Sequence, residues 1–293
     1  MNAREYYLEN GYVIFRGLVP HCKIDDLLEL YKNTIVPSPY PFFRQNTNKY
    51  EKNAITEHGY VRQSFLDIHD YAKFREFSHA AREIYASGEM TDALKESTGF
   101  STFNLMQSML FDANTETVPH QDWWYLDSVP NGHLLACWIA LEDIDERAGR
   151  FYVIPKSMQV DLHSDLPNLS HSRWLARIDD YFRKNQASLR IADLYKGDVL
   201  FWNSRVIHGS LPTIDPAYSR KSITGHYLPS QYEFGNLFTT KKFVNYKIYN
   251  GMNFYRNQPD YSVTNSIKSR IKQAAYNSPR TLRALRQVQR VIR

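Results

Sequence analysis

After Gly99 the sequence carries a series of short apolar runs, each separated from the next by turn residues. The runs span residues 103–111, the stretch around His120-x-Asp122, and residues 134–141, 149–154, 197–202, 206–211 and 222–228. Short strands at roughly regular spacing favour a closed or sandwiched antiparallel sheet over a parallel one. We therefore predict an α+β protein with a mainly β core, folded as a jelly roll over residues of about 100–230.

The first third of the chain is predicted to be mostly helical. Residues 4–10 should form a short helix that ends at Gly11, because glycine tolerates the left-handed conformation found at helix ends. Residues 12–15 then alternate like a strand. Apolar residues at helical spacing predict a second helix over 24–31 and two more within 70–97.

Two further segments stand apart from the core strands. The insertion at about 157–192 contains a predicted helix over 172–184 and is long enough to cap the mouth of a barrel. The C-terminal segment 266–293 is predicted to form a basic amphipathic helix. Residues 1–265 are then expected to form a single domain.

Charge is unevenly spread along the chain. Eight of the 36 basic residues and none of the 31 acidic ones lie at or beyond Ser266, so the net charge of +5 leaves residues 1–265 at about −3. The body of the protein therefore lacks the charge signature of nucleic-acid binding, and we expect no nucleic-acid partner.

The basic tail has two faces. Ser278-Pro279 has the pattern of a helix start, with serine as the cap and proline at the first helical position. At helical spacing, an apolar side holds Leu282, Leu285, Val288, Gln289 and Ile292, and a basic side holds Arg283, Arg286, Arg290 and Arg293. Two interpretations stay open: the apolar side docks on the barrel, or the helix attaches peripherally to anionic lipid.

The cellular location is predicted from what the sequence lacks. Neither a signal peptide nor an apolar run of membrane-spanning length is present, so a cytoplasmic protein is expected, membrane-peripheral if the tail binds lipid. Cys22 and Cys137 lie far apart, and Cys137 sits in an apolar run, so we expect no disulfide. The oligomeric state is not indicated.

Three residues of the strand-rich region have the chemistry of an iron site. His120 and Asp122 stand at i and i+2, so on an extended strand their side chains project to the same face. His208, just after the run 197–202, is the best third ligand, and His226 is its main rival. A set of two histidines and one carboxylate holds Fe(II) and leaves positions open for a co-substrate and O₂.

Arg220 is the candidate partner for the second carboxylate of a dicarboxylate co-substrate that binds the iron through its other end. A planar guanidinium binds a carboxylate through two parallel charge-assisted hydrogen bonds. Arg220 follows His208 by twelve residues and a turn, so it is expected on the neighbouring antiparallel strand. Alternation would place it on one face with Thr224 and His226. The residues alone leave a second interpretation open, an exposed arginine beside Lys221 on an edge strand.

Taken in order, these motifs resemble the pattern of the phytanoyl-CoA dioxygenase family of Fe(II)/2-oxoglutarate oxygenases. The matching pieces are Tyr6-Tyr7-x-x-x-Gly11-Tyr12-Val13-Ile14, His120-Gln121-Asp122, Trp138-Ile139-Ala140-Leu141, Gly149 before Tyr152-Val153-Ile154-Pro155, Lys196-Gly197-Asp198, His208-Gly209-Ser210 and Ser219-Arg220. The resemblance implies a double-stranded β-helix, cupin-like, with flanking helices. It favours the 2-oxoglutarate role of Arg220 and places Ser210 and Trp138 against the co-substrate, while Gln107 is a further polar candidate.

These observations predict a dioxygenase that uses Fe(II), 2-oxoglutarate and O₂ to hydroxylate a C–H bond of a small molecule or conjugated metabolite. Two alternatives come from other classes. One is a non-redox, isomerase-like barrel enzyme that uses the same metal ligands. The other is a catalytically silent barrel that acts as a binding module. A complete ligand set together with Arg220 favours the enzyme, because a pure binding module has no need of that combination.

Overall fold

The computed structural model describes residues 2–164, 168–241, 243–257 and 260–278. Its helices are α1 (Ala3–Asn10), α2 (His21–Leu30), α3 (Arg75–Tyr85), α4 (Gly88–Thr98), α5 (His171–Lys184) and α6 (Val263–Asn277). Its strands are β1 (Tyr12–Phe15), β2 (Phe42–Phe43), β3 (Tyr50–Glu51), β4 (Phe65–Leu66), β5 (Phe103–Phe111), β6 (Asp127–Val129), β7 (Leu135–Ala140), β8 (Phe151–Val153), β9 (Arg190–Ile191), β10 (Val199–Asn203), β11 (His208–Ser210), β12 (Ser222–Pro229), β13 (Glu233–Gly235), β14 (Tyr246–Tyr249) and β15 (Met252–Tyr255). Within these residues, no helix has both the length and the apolar character that crossing a membrane requires.

Local sequence signals explain how α1 begins and ends. The Asn2 side chain accepts a hydrogen bond from the Glu5 backbone N–H at 2.8 Å, and the Glu5 carboxylate accepts one from the Asn2 backbone at 3.1 Å. This reciprocal pair is a capping box. Gly11 follows with a φ of 80°, the left-handed conformation predicted for it, and directs the chain into β1.

Two sheets form the β core. The main sheet has eight strands, in the order β1-β10-β7-β12-β5-β15-β14 with β4 also paired to β5. Its pairings are antiparallel except for that of β15 with β5. A smaller sheet has the order β11-β8-β9. The predicted class, a mainly antiparallel β core with flanking helices, is confirmed.

The main sheet separates two buried layers. On one face, Trp138 of the main sheet packs in the same apolar cluster as Phe151 and Val153 of the smaller sheet. On the other face lie the helices, and the Tyr85 hydroxyl of α3 donates a hydrogen bond to the Thr224 carbonyl of β12 at 2.8 Å. The space between the two sheets is therefore a buried interior, separate from the layer under the helices.

The prediction of a strand around His120-x-Asp122 is wrong. His120 forms only an isolated bridge with His208, and residues Asp122–Trp124 form a 3₁₀ turn. The turn closes when the Tyr125 backbone N–H bonds the Asp122 carbonyl at 2.7 Å, so the chain leaves the extended conformation directly after Gln121.

The expected pairing of the strand carrying His208 with that carrying Arg220 is also wrong. β11 pairs with β8 in the smaller sheet, whereas β12 pairs with β5 and β7 in the main sheet. The connection crosses from one sheet to the other and is held along its path: the Leu211 N–H bonds the Arg150 carbonyl at 2.9 Å and the Arg220 N–H bonds the Asp112 carbonyl at 2.8 Å.

The helix predicted in the insertion is present as α5, and it packs close to the β interior. Trp174 of α5 stacks on Trp124, with ring centroids 4.5 Å apart and planes inclined by 21°. Its role as a cap stays a prediction, as does the division of the chain at residue 265. The two faces predicted for the tail beyond Ser278 lie outside the described residues.

Candidate metal centre

Three side chains converge at one end of the space between the sheets. Ligand atoms of His120, Asp122 and His208 all lie within 4.8 Å of one another. The Asp122 Oδ1 atom is 3.7 Å from Nε2 of His120 and 3.5 Å from Nε2 of His208. The structure thus brings together the three residues that the sequence singled out as ligands.

Backbone pairing explains this convergence without a regular strand at His120. The His120 N–H bonds the His208 carbonyl at 3.0 Å, and the His208 N–H bonds the His120 carbonyl at 3.0 Å. Gln121 is extended, with φ −122° and ψ 140°, so His120 and Asp122 still project to one side. The geometry inferred from the spacing is therefore present, although it depends on a single bridge.

Each imidazole presents the same nitrogen to the centre. Nδ1 of His120 lies 2.9 Å from the Val118 carbonyl, and Nδ1 of His208 lies 3.0 Å from the Val206 carbonyl. A carbonyl fixes Nδ1 as the protonated nitrogen and leaves the lone pair on Nε2. Burial lowers the pKa of His208 to about 3, so this imidazole is neutral, as a metal ligand must be.

The Asp122 carboxylate is held by its second oxygen. The Trp202 indole N–H donates to Oδ2 at 2.9 Å, which leaves Oδ1 directed at the two histidines. Burial raises the pKa of Asp122, but the neighbouring imidazoles of His208, His226 and His120 outweigh burial and hold the pKa below its usual range. Asp122 is therefore ionised, as a carboxylate ligand of a metal must be. Sequence reasoning missed the role of Trp202.

His226, the rival third ligand, occupies a different position. Its Nε2 lies 3.6 Å from Asp122 Oδ2, the oxygen that Trp202 already engages. It is outside the group of three ligand atoms that the described residues bring together. Its Nδ1 is buried and has no hydrogen-bond partner among the described residues.

Arg220 is buried, with 2% of its surface exposed, so the interpretation as an exposed edge residue is wrong. One guanidinium nitrogen donates to the Gly149 carbonyl at 3.1 Å, while Nε has no partner among the described residues. Among the described residues, no carboxylate oxygen lies within 4 Å of the Arg220 guanidinium. Burial lowers the pKa of Arg220 to about 10, which still leaves the side chain charged near neutral pH.

Unpartnered polar atoms line the inward face of the chain from Arg220 along β12. The Nε of Arg220, Oγ1 of Thr224 and Nδ1 of His226 are all buried without a partner in the described part of the chain. These residues alternate along the chain and share one face, as the spacing predicted. Buried polar groups are normally hydrogen-bonded, so this row indicates a polar ligand between Arg220 and the metal ligands.

The other predicted co-substrate residues lie on strands around this interior. Trp138 pairs in register with Thr224, and Gln107 pairs in register with His226. Ser210 lies two residues after His208 on β11, where its hydroxyl accepts a hydrogen bond from the Thr117 N–H at 2.8 Å. Gln107 and Trp138 therefore flank the row of unpartnered atoms on the two neighbouring strands.

The residues fit the groups that the sequence suggested. A neutral imidazole fixed by a carbonyl, a second one oriented in the same way and an ionised carboxylate form a ligand set of the facial type that favours Fe(II). The buried Arg220 guanidinium, which has no carboxylate partner among the described residues, and the row of polar atoms beside it suit a dicarboxylate.

Sequence comparisons relate the chain to a known family. A family model described as phytanoyl-CoA dioxygenase matches residues 7–222. The peroxisomal phytanoyl-CoA dioxygenase of Bos taurus is 24% identical over 246 residues, covering 78% of this chain and 68% of the relative. The Homo sapiens protein of the same name is 24% identical over 243 residues, with the same coverage of 78% and 68%.

Solved structures share the fold. The epimerase SnoN in complex with Fe³⁺, α-ketoglutarate and nogalamycin RO has a TM-score of 0.57 and 17% identity, covering 79% of this chain and 84% of that one. EctD from S. alaskensis with 2-oxoglutarate and 5-hydroxyectoine has a TM-score of 0.57 and 15% identity, covering 79% and 77%. Because the family model matches most of the chain, the protein belongs to the phytanoyl-CoA dioxygenase family and is an oxidoreductase of the dioxygenase type.

Proposed function

We propose that the protein is a mononuclear Fe(II)- and 2-oxoglutarate-dependent dioxygenase that hydroxylates a C–H bond of a small molecule or conjugated metabolite. His120, Asp122 and His208 would hold the iron, and Arg220 would bind the distal carboxylate of 2-oxoglutarate. Relatives support this assignment, since SnoN and EctD are both described with 2-oxoglutarate, under either of its names.

The observation that carries the proposal is the row of buried, unpartnered polar atoms that begins at Arg220. A buried guanidinium without an anion is costly, because its lost hydration is not replaced. A dicarboxylate would remove this cost by accepting charge-assisted hydrogen bonds at Arg220, with Thr224 as a further donor. The same dicarboxylate would reach the metal ligands with its other end.

Each residue of the site has a defined task. Bound iron, together with 2-oxoglutarate and O₂, supplies the oxidation of the C–H bond. Asp122 and the two histidines would hold the metal, and the Trp202 indole N–H orients the Asp122 carboxylate by donating to its Oδ2 atom. Burial of the interior excludes water, which strengthens the charge interactions of Arg220.

Three further contacts belong to the proposal. Ser210 and Trp138 would lie against 2-oxoglutarate, and Gln107 would offer an amide from the opposite strand. The α5 helix would cover the site, since Trp174 packs on Trp124 directly after the metal-ligand segment. Lipid contact of the basic tail, whose predicted apolar and basic faces lie beyond Ser278, is a separate proposal.

The proposal is tested by anaerobic loading of the protein with Fe(II) and 2-oxoglutarate, followed by O₂ and candidate substrates. We expect succinate to form only when Fe(II), 2-oxoglutarate and O₂ are all present. Slow succinate formation is expected even without a substrate. Asp122→Ala should abolish it, and Asp143→Ala, an exposed carboxylate elsewhere, should not. Turnover that is independent of 2-oxoglutarate and O₂ would instead support the non-redox alternative, and iron binding without turnover would support the silent barrel.

A further inference from the structure

A polar cavity of about 360 Å³ lies outside the metal centre. It is lined by Asp70, Arg75, Ser78, Arg82, Lys247 and Arg256, among others. The lining residues come from α3 and the segment 70–72 before it on one side, and from the β14–β15 hairpin and its continuation on the other. Four cationic side chains therefore face one carboxylate.

The positions of these cations on α3 and β14 bring their side chains close to one another. Arg75, Ser78 and Arg82 stand at i, i+3 and i+7 of α3, so they share one face of the helix. Lys247 and Tyr249 alternate along β14 and share the face that meets α3. The Arg82 guanidinium lies over the Tyr249 ring, 5.2 Å from its centroid, which joins the two elements.

The charges of the cavity are not balanced within the described residues. Arg256 donates to Asp70 at 2.9 Å, and this is the one ion pair that the lining residues form in that part of the chain. Arg75 and Lys247 are exposed at the rim. Asp70 and Glu83 lie near enough to Arg82 to favour its charged form, but Arg75, Arg82 and Lys247 form no ion pair among the described residues, so these three cations are available to an anion from outside.

Arg82 is the strongest indication of such an anion. Only 8% of its surface is exposed, one terminal nitrogen donates to the His69 carbonyl, and its Nε has no partner in the described residues. Burial lowers the pKa of Arg82, because the charged form loses hydration. A bound oxyanion would replace the hydration that the Arg82 guanidinium loses on burial. The two parallel N–H donors of a guanidinium also match the spacing of phosphate oxygens.

The cavity lies on the far side of the main sheet from the metal centre. His69, whose carbonyl Arg82 engages, reaches Ser108 of β5 with its Nδ1 at 2.6 Å. Ser108 points to the helical face, because its neighbour Gln107 pairs with His226 on the interior face. A ligand in this cavity is therefore distinct from anything bound at the metal.

From this placement we infer that the cavity binds a phosphate group, either as the free ion or as the monoester of a small molecule. Several cations around one space match an oxyanion of more than one charge better than a single carboxylate. The volume is at the lower end of the range of about 300–1,000 Å³ found for small-ligand sites, so it has room for a phosphate with a small organic part.

Titration calorimetry of the full chain tests this inference, with inorganic phosphate and glycerol 3-phosphate as separate probes at a fixed ionic strength of about 0.15 M, where long-range attraction is screened. The main variant is Arg75→Gln/Lys247→Gln, which changes only exposed rim residues. Lys32→Gln/Lys95→Gln removes two exposed cations elsewhere and is the charge-matched control. Arg82→Lys, checked by thermal unfolding, keeps the charge and loses the fork.

We expect saturable binding of at least one probe, weakened about ten- to a hundredfold by the rim variant, as the loss of charged hydrogen bonds predicts. The control should bind within about twofold of the unmodified chain. Tighter binding of glycerol 3-phosphate would identify an esterified group as the ligand, and binding of inorganic phosphate alone would identify the free ion. Absence of saturable binding of both probes, or equal losses in the rim variant and the control, would overturn the inference.

Discussion

Replacement of Arg220 by lysine gives the sharpest test of the proposed co-substrate site. The arginine is buried, donates one hydrogen bond to the Gly149 carbonyl and keeps Nε without a partner among the described residues. Lysine preserves the positive charge but replaces the planar fork by a single ammonium on a stem of different reach. The change therefore separates the geometry of the guanidinium from its charge.

The magnitude follows from the number of bonds that are lost. A bidentate contact supplies two charge-assisted hydrogen bonds, and lysine can keep one at best. A hydrogen bond to a charged group contributes about 1.5–3 kcal/mol, and about 1.4 kcal/mol corresponds to a factor of ten in affinity. We expect the affinity for 2-oxoglutarate to fall about ten- to a hundredfold in Arg220→Lys.

The affinity is measured by anaerobic titration of the Fe(II)-loaded protein with 2-oxoglutarate. Arg150→Lys is the matched control, because Arg150 lies beside Gly149 but pairs with Asp193 at 2.9 Å, away from the interior. It should leave the affinity unchanged. An affinity of Arg220→Lys equal to that of the unmodified chain, with its thermal unfolding intact, would refute the assignment of Arg220.

Three further changes test other parts of the structure. Trp202→Phe removes the indole donor to Asp122, so Fe(II) affinity in an anaerobic titration should fall about tenfold; an unchanged value would deny Trp202 its orienting role. Gly149→Ala adds a Cβ against the Asn114 side chain at a φ of 80°, and denaturant unfolding should show a loss of about 2 kcal/mol or more, whereas an unchanged midpoint would contradict the packing. Truncation after Asn277 should abolish low-salt co-sedimentation with anionic liposomes, with neutral liposomes as the control, and full binding by the truncated chain would exclude the tail as the lipid contact.

Much of the β core could be predicted where runs were bounded by turn residues. The predicted strands 103–111 and 12–15 coincide with β5 and β1 as the structure has them. The hairpin of β14 and β15 was missed, although Asn250-Gly251 is a strong hairpin signal and both residues have positive φ, 46° and 75°. Both strands lie beyond residue 230, where the predicted jelly-roll core ended.

His120 and Asp122 were predictable as ligands because residues two positions apart project to the same side of any extended backbone. The single β-bridge that His120 forms with His208 is enough to keep this segment extended. Trp202 could not be assigned to Asp122 from the sequence, since the two are 80 positions apart and meet only through the packing of the sheets. The crossing of the chain from β11 to β12 was likewise set by sheet topology, which local pattern does not encode.

The most direct test of the proposed centre is an anaerobic Fe(II) titration of the unmodified chain beside His208→Ala and His226→Ala. Both histidines lie within 4 Å of the Asp122 carboxylate, His208 near Oδ1 and His226 near Oδ2. The two variants therefore compare the loss of a proposed ligand with the loss of a neighbouring histidine. We predict one equivalent of tightly bound Fe(II) in the unmodified chain, its loss in His208→Ala and its retention in His226→Ala. Retention of full affinity in His208→Ala together with loss in His226→Ala would contradict the assignment of the third ligand and, with it, the centre described above.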